Sequence, residues 1–438
     1  MRPLAAAALL VLSSAAPSAG APTPVGLRDA IAAAVDSRLD AIIARENASQ
    51  ARSRALQSAS SLLPQLTASL SEIHTFGISL VAEGLGTIPG FSAIPPVIGP
   101  FDTFDARAHL TQKLFDWGAW RHAQSGAAAA KAAGEEETAA REQVATAAAL
   151  SYLEAVRAQR AVAAATADKD VGDSLLALAR DRKEQGAATG VDVVRAQARA
   201  ADADAALLRA RITETEALLL LKRVSGWPLD RELRLTDDFT ATSSSSPALE
   251  PSLTAAFSGR AEIAAAEDRA RAEALGAKAA FGDRAPSIVL TGDYAQSGSV
   301  PSDARSVGDI GGAVSLPLFS GGLLKGRQDE AESRGREALA YLADVRQQVE
   351  LDVRTSLERL AETAEEERAS ELSLSLAARE LAMAQDRYAE GVGASVDVIE
   401  AQAELARARN AQVSALARYH SSRVNYAAAI GRASGFSL

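Results

Sequence analysis

From Phe104 to Thr111 the chain alternates strictly. Phe104, Ala106, Ala108 and Leu110 are apolar, and Asp105, Arg107, His109 and Thr111 between them are polar. A period of two predicts a strand with one apolar and one polar face. The run "FDARAHLTQKLF" carries this strand to Phe115. A second run places Ile310, Val314 and Leu316 on one face, interrupted by Gly312, with Asp309, Gly311, Ala313 and Ser315 opposite. Each run follows another extended stretch, near Gln65–His74 and Ser287–Tyr294, where alternation is less clean. The pattern predicts two hairpins.

Helical spacing fills most of the remaining chain. One helix is expected over about 26–62 and its counterpart over about 252–283; Pro64 and Pro286 stand beyond them, where a helix cannot continue. After each hairpin a long helix is expected, about 119–185 and about 323–390. A glycine turn follows, then a shorter helix, about 191–225 and about 396–432. Val194, Ala198, Ala201, Ala205, Leu208 and Ile212 step by four and three, as a coiled-coil seam requires. Leu342, Val345, Val349, Val353, Leu357, Leu360 and Ala364 have a longer mean spacing, which suits a straight or slightly right-handed bundle. At 1.5 Å per residue each long helix would span roughly 100 Å, and the short helices stacked in pairs would match it. Four such columns per chain are expected.

The order of elements repeats. Shifting the chain by 205 residues aligns Asp181–Ala200 with Asp386–Leu405, and nine of the twenty positions are identical. "RKEQGAATGVDVVRAQ" and "RYAEGVGASVDVIEAQ" are the clearest copies, and Gly226 falls on Gly431 at the same shift. "LFDWG" at Leu114–Gly118 and "LFSGG" at Leu318–Gly322 repeat at a shift of 204. The matched Gly, Asp and Gln residues are not part of the alanine-rich background. The expected organisation is a signal peptide over 1–21, a first repeat over 22–226, a polar connector over 227–251 and a second repeat over 252–438.

Composition narrows the reading. Hydrophobic residues make up 47% of the chain but aromatic ones only 4%, so the apolar surface is mostly Ala, Leu and Val. Alanine favours helix and lets helices approach closely. A formal charge of −10 and the lack of a basic patch with interleaved aromatics argue against a nucleic-acid partner. The start, "MRPLAAAALLVLSSAAPSAGA", reads as a secretory signal peptide. There is no cysteine, hence no disulfide, thiol chemistry or lipid-modified cysteine. His74, His109, His122 and His420 lack metal-ligand spacing, and no nucleophile constellation or phosphate loop is present. Neither an enzyme, a cofactor nor a metal site is expected.

No later stretch is long and apolar enough for a membrane helix. Four strands with one apolar face cannot stand alone in lipid, because their edges would be unpaired. Single-chain outer-membrane barrels begin at eight strands. The hairpins are therefore either staves lent to a barrel shared between copies or short hairpins on a soluble helical body. Periodicity alone leaves both readings standing.

"SLLPQLTAS" (Ser61–Ser69), "RAEIAAAEDRARA" (Arg260–Ala272), "PLFSGG" (Pro317–Gly322) and "RYAEGVGASVDVIEAQ" (Arg387–Gln402) come in an order that resembles the TolC-like outer-membrane factors. The resemblance covers essentially the whole mature chain. It implies a mainly α fold with a small antiparallel β part. Two repeats of long coiled-coil hairpins would form an α-barrel, and four strands per copy would join a trimeric 12-stranded outer-membrane barrel. It further implies a homotrimeric exit duct for tripartite efflux or type I secretion, with a tunnel in the periplasm. The partners would be outer-membrane lipid, a periplasmic adaptor and an inner-membrane transporter. The leading rival is a soluble periplasmic coiled-coil adaptor or scaffold. The cargo is not legible.

On this resemblance the glycine turns are periplasmic tips. Gly186, Ala187, Ala188, Gly391, Val392 and Gly393 are the expected turn and adaptor contacts, together with Asp192. Asp192 and Asp397 fall in the first turn of the returning helix, where a carboxylate is favoured by exposed N–H groups, so capping and function both fit Asp192. Glu400 shares a helix face with Asp397. The resemblance places an acidic ring of this kind at the narrow entrance, and three copies would bring six carboxylates to one axis. At the matching position the first repeat carries Arg195. Tyr388 matches a family position that helps latch the tip through hydrogen bonds; the basic partner of some members is Gly393 here.

Overall fold

A computed structural model describes residues 23–79, 97–239 and 247–438 of the 438-residue chain. The expected signal peptide, most of the Gly84–Pro100 loop and the middle of the polar connector lie outside the described residues. The first half of the chain runs β1 (Thr23–Val25), α1 (Leu27–Ser37), α2 (Leu39–Ser60), β2 (Gln65–Thr75), β3 (Ile78–Ser79), β4 (Val97–Ile98), β5 (Phe101–Phe115), α3 (Trp117–Glu184), α4 (Gly190–Val224) and β6 (Leu233–Leu235). The second half runs α5 (Leu249–Gly259), α6 (Ala261–Gly282), β7 (Ser287–Gly298), β8 (Arg305–Ser315), α7 (Leu323–Ala389) and α8 (Ser395–Ala429). The fold is mainly α with a small antiparallel sheet. The repeat is visible in the helix lengths. They pair as 11 and 11 residues, 22 and 22, 68 and 67, and 35 and 35.

The helices expected over 26–62 and 252–283 are each broken in two. Arg38 separates α1 from α2 and Arg260 separates α5 from α6, both in extended conformation. Gly259 stands at the second break, and neither glycine nor proline marks the first. At both, the arginine turns back to an acid two residues on, in the first turn of the next helix. Arg38 Nε meets Asp40 Oδ2 at 3.2 Å, and Arg260 Nε meets Glu262 Oε2 at 3.2 Å.

The fold divides into two units, each drawn from both halves of the chain. One comprises Ile43–Ala139 and Arg260–Gln348. It holds a four-stranded sheet in the order β2-β5-β7-β8, antiparallel throughout, in which β5 and β7 join the two hairpins. The register aligns Thr67, His109, Asp293 and Asp309 across the four strands, and on the other face Leu66, Leu110, Gly292 and Ile310. The polar face is internally bonded. His109 Nδ1 lies 3.0 Å from Asp293, and Arg107 bonds Asp105 at 3.1 Å. The apolar face is bare: Leu70 is 74% and Ile310 85% exposed. Helices in this unit approach closely, as alanine permits. Ser125 Oγ donates to the Ala272 carbonyl at 2.8 Å, and Lys131 reaches the buried Asp268 at 2.9 Å.

The other unit comprises the chain up to Ile42, Ala140–Gly259 and Val349–Leu438. Its main core gathers Leu27, Ile31, Tyr152, Leu153, Leu221 and Val424. Here β1 and β6 form a short parallel pair that the alternation pattern does not disclose. Tyr152 clamps it, with its hydroxyl donating to the Val25 carbonyl at 3.1 Å and accepting from the Asp237 amide at 3.3 Å. Burial pushes the pKa of this phenol up to about 12.

Within this unit the coiled-coil spacing is strict, and the structure corrects two expectations. On α7 the buried positions include Val349, Val353, Ser356, Leu360, Ala377 and Leu381, all on one four-three repeat. The longer mean spacing came from counting Leu357 and Ala364 in place of Ser356 and Thr363. Small hydroxyl residues sit in the seam because they bond their own helix: Ser356 Oγ donates to Val353 O at 2.9 Å and Thr363 Oγ1 to Arg359 O at 2.7 Å. On α4 the buried residues are Ala196, Ala200, Leu207, Ala217, Leu221 and Val224, also on a four-three repeat. The seam read from the sequence is another one. Val194, Ala198, Ala201, Leu208 and Ile212 are exposed and Ala205 half-buried.

Candidate functional site

Four helices end in one way. At Gly186, Gly226, Gly391 and Gly431 the backbone turns to positive φ, +74°, +69°, +80° and +72°. Each end closes with the same pair of bonds. Ala187 N donates to Arg182 O and Gly186 N to Lys183 O; Val392 N donates to Arg387 O and Gly391 N to Tyr388 O. This is the Schellman arrangement, which satisfies carbonyls that the helix leaves free. An added Cβ at Gly186 or Gly391 would meet nothing within 4 Å, so backbone conformation alone selects glycine there. Gly393 differs: a Cβ would come within 3.1 Å of Tyr388 N and 3.2 Å of Arg387 Cβ. The close approach favours glycine at this position.

The helices restart differently. Thr189 caps α4: its Oγ1 accepts from Asp192 N at 3.4 Å, and Asp192 Oδ2 accepts from Thr189 N at 2.9 Å. Asp192 Oδ1 accepts a 2.5 Å bond from Ser395 Oγ at the start of α8. The Ser395 hydroxyl first, then the Thr189 amide and hydroxyl, hold the Asp192 carboxyl below its ordinary pKa. Asp192 thus caps one helix and ties it to the other. In the second repeat Ala394 stands at the cap position and offers no side-chain bond, so Asp397 is not drawn into a box.

Asp397 and Glu400 are both exposed on α8 and have no hydrogen-bond or ion-pair partner among the described residues. Ala187, Gly391 and Val392 are exposed at the tips, and Ala188 and Gly393 half-exposed. Tyr388 is buried at 7% exposure, and its hydroxyl has no hydrogen-bond partner among the described residues. Its ring is held instead by Arg182, whose guanidinium lies 4.4 Å from the ring centroid while Nη2 donates to Ala389 O at 3.0 Å.

The sequence reading missed Arg182, Ser395 and the Asp168–Arg409 ion pair, 2.5 Å long and largely shielded, which joins α3 to α8 further from the tip. Arg182 was one of the nine repeated identities, so its signal was present without its role. Ser395 matches a glycine in the first repeat and carried no signal. Gln402, another repeated identity, is buried where α3 offers Gly172; a Cβ there would stand 3.3 Å from Gln402 Nε2.

No helix among the described residues is long and apolar enough to cross a membrane. The chain matches the family model described as outer membrane efflux protein over residues 30–226 and 253–432. No curated protein matches it in sequence. Among solved structures it is similar to the outer membrane protein VceC of Vibrio cholerae, with 22% identity, a TM-score of 0.77, and 93% of this chain and 96% of that one covered. It is similar to the CmeC outer membrane channel of Campylobacter jejuni at 19% identity and a TM-score of 0.77, covering 94% and 86%. The open state of the MtrE outer membrane channel of Neisseria gonorrhoeae matches at 18% identity and a TM-score of 0.76, covering 92% and 88%.

Proposed function

The chain belongs to the outer membrane efflux protein family, and on that premise we propose that it is one third of a trimeric outer-membrane duct. The observation that carries this reading is the sheet. Among the described residues its outer strands β2 and β8 have no neighbour on one side, and its apolar face is bare at Leu66, Leu70, Ile310 and Val314. In lipid such edges cost several kcal/mol per unsatisfied group, about the scale that forces barrels to close. Three copies supply twelve strands, enough for a water-filled lumen lined by the polar row of Thr67, His109, Asp293 and Asp309.

The helical hairpins form the periplasmic part of the duct. Their tips at Gly186–Ala188 and Gly391–Gly393 present small residues and Val392 to the hairpin of a periplasmic adaptor, which links the duct to an inner-membrane efflux or type I secretion transporter. Asp397 and Glu400 of three copies form a six-carboxylate ring at the entrance, which draws cations and resists narrowing. The chain conducts and performs no catalysis. Purified mature protein in detergent is expected to have the mass of a trimer and to open conducting pores in planar bilayers. A water-soluble monomer that leaves bilayers silent would end this reading.

A further inference from the structure

A groove of about 990 Å³ runs between α6 and α7 in the sheet-bearing unit, with Trp117 and Arg121 of α3 in its lining. α6 lends it Glu267, Arg271, Ala274, Lys278 and Phe281, which step by four and three along one stripe of the helix. Its cations are Arg121, Arg271, Lys278, Arg336 and Arg346, and its only carboxylates are Glu267 and Glu332. In a chain of formal charge −10 this is a local reversal of sign. We infer that the groove holds an anionic phospholipid of the leaflet nearest the helices, its phosphate between Lys278 and Arg336 and its acyl chains along Phe281 and Trp117. This deepens the duct reading and rests on it, since the sheet must lie in the bilayer.

The other three cations are engaged. Arg346 Nη2 donates to Glu267 Oε1 at 2.7 Å, and Arg271 Nη1 lies 3.5 Å from Asp268 Oδ1. The Arg121 guanidinium lies 4.6 Å from the ring centroids of both Trp117 and Trp120. Lys278 and Arg336 are exposed and have no hydrogen-bond or ion-pair partner among the described residues. They also stand level. α6 runs toward the sheet and α7 away from it, and the Glu267–Arg346 contact fixes a common height. Lys278 comes eleven residues further along α6 and Arg336 ten residues back along α7, so their heights differ by about 1.5 Å, one residue's rise. A phosphate between them meets two free charges at once.

The aromatic end of the groove lies toward the sheet. Phe281, 60% exposed, follows Lys278 in that direction, and Trp117, 38% exposed, opens α3 just after β5 ends. The two helices meet here: an added Cβ at Gly282 would stand 2.5 Å from Trp117 Cδ1. From Lys278 to the end of α6 is about 6 Å, so the free cations sit one helical turn from the junction with the sheet. Tryptophan marks membrane–water interfaces, and a basic pocket beside one suits an anionic headgroup.

The groove also opens on the side where lipid is. α6 has two buried stripes. Ala265, Asp268, Ala272 and Ala279 face α3, where Asp268 meets Lys131 and the Ala272 carbonyl meets Ser125. Ile263, Ala266, Ala270 and Ala280 face α7, which Glu267 and Arg269 reach from either side at Arg346 and Tyr341. At 3.5 residues per turn these stripes are about 154° apart across Arg269 and about 206° apart across Arg271 and Lys278. In a closed ring of columns the smaller angle faces the axis. Arg269 therefore faces the lumen, and the groove faces outward, away from the conducted solute.

Native mass spectrometry of the detergent-purified protein reads assembly and retained lipid together. Offered equal amounts of dioleoyl phosphatidylglycerol and dioleoyl phosphatidylethanolamine, the protein is expected to retain phosphatidylglycerol. Lys278→Gln with Arg336→Gln should weaken that binding roughly thirtyfold, about fivefold for each cation removed. Arg269→Gln with Arg334→Gln removes the same charge from the opposite face and should leave it intact. Glycerol phosphate, which carries the charge without acyl chains, should not displace the lipid at equal concentration. No preference for the anionic lipid, equal loss in both double variants, or displacement by glycerol phosphate overturns the lipid site; a trimer mass in the same spectrum leaves the duct standing. A monomer mass removes both.

Discussion

Ser395 donates a 2.5 Å hydrogen bond to Asp192, and this one contact joins the starts of α4 and α8 at their tips. The same carboxylate caps α4 through Thr189. Replacing Asp192 by alanine removes both functions, whereas Ser395→Ala removes only the tie. Asp192→Ala is expected to cost about 1 kcal/mol of local stability, the usual worth of a cap. Hydrogen exchange should show it as faster amides in the first turns of both helices; for Ser395→Ala the cap of α4 should hold. The carboxyl is held below its ordinary pKa, so the folded state favours the ionised form. Its contribution is present above the ordinary carboxylate value and lost as pH falls through the lowered one. Tip exchange that stays unchanged down that range would remove the tie from the account.

Tyr152 should matter over a different pH range. It is fully buried, and its phenol pKa rises to about 12. The unfolded chain releases this proton near pH 10 and the folded chain only near 12, so stability is intact below 10 and falls between the two values. Tyr152→Phe abolishes that component of the alkaline loss and strands the Asp237 amide, at about 1–3 kcal/mol, while the Val25 carbonyl keeps its bond from the Thr236 amide. Thermal unfolding of both proteins from pH 8 to 12 checks both parts. Parallel curves for the two would refute the linkage.

Neighbouring residues on β8 provide a test of the two faces of the sheet. Ile310 lies on the apolar face and Asp309 on the polar face beside Asp293. Ile310→Arg should impair assembly, at about 2–4 kcal/mol per copy if the site lies near the bilayer midplane. Asp309→Arg, one residue away, should assemble normally. The fraction of protein in the outer membrane as heat-dissociable trimer is the readout, and equal assembly of both would contradict the assignment of faces.

Asp397→Ala with Glu400→Ala should reduce the preference of the pore for cations by roughly several-fold, without loss of trimer. Reversal potentials under a salt gradient measure it. Both side chains are exposed and unbonded within one copy, so stability should not change. An unaltered reversal potential would place the selectivity elsewhere.

The chain by itself determined the plan. A shift of 205 residues identified the glycine at all four Schellman ends, because only glycine takes positive φ at so little cost and its position is therefore written in the residue type. Alternation located β5 for the same kind of reason, since a period of two leaves a strand no other face to bury, whereas the short β1–β6 pair left no such trace. Tertiary structure decided what residue type leaves undetermined. The break at Arg38 has no glycine or proline to announce it, and the turn there is closed by an Arg38–Asp40 contact that only the folded chain creates. Ser356 and Thr363 enter a seam that hydropathy assigns to leucine and alanine. On α4 two stripes are equally regular, and periodicity cannot say which one a neighbour covers, because spacing fixes which side chains share a face and packing alone fixes what lies against it.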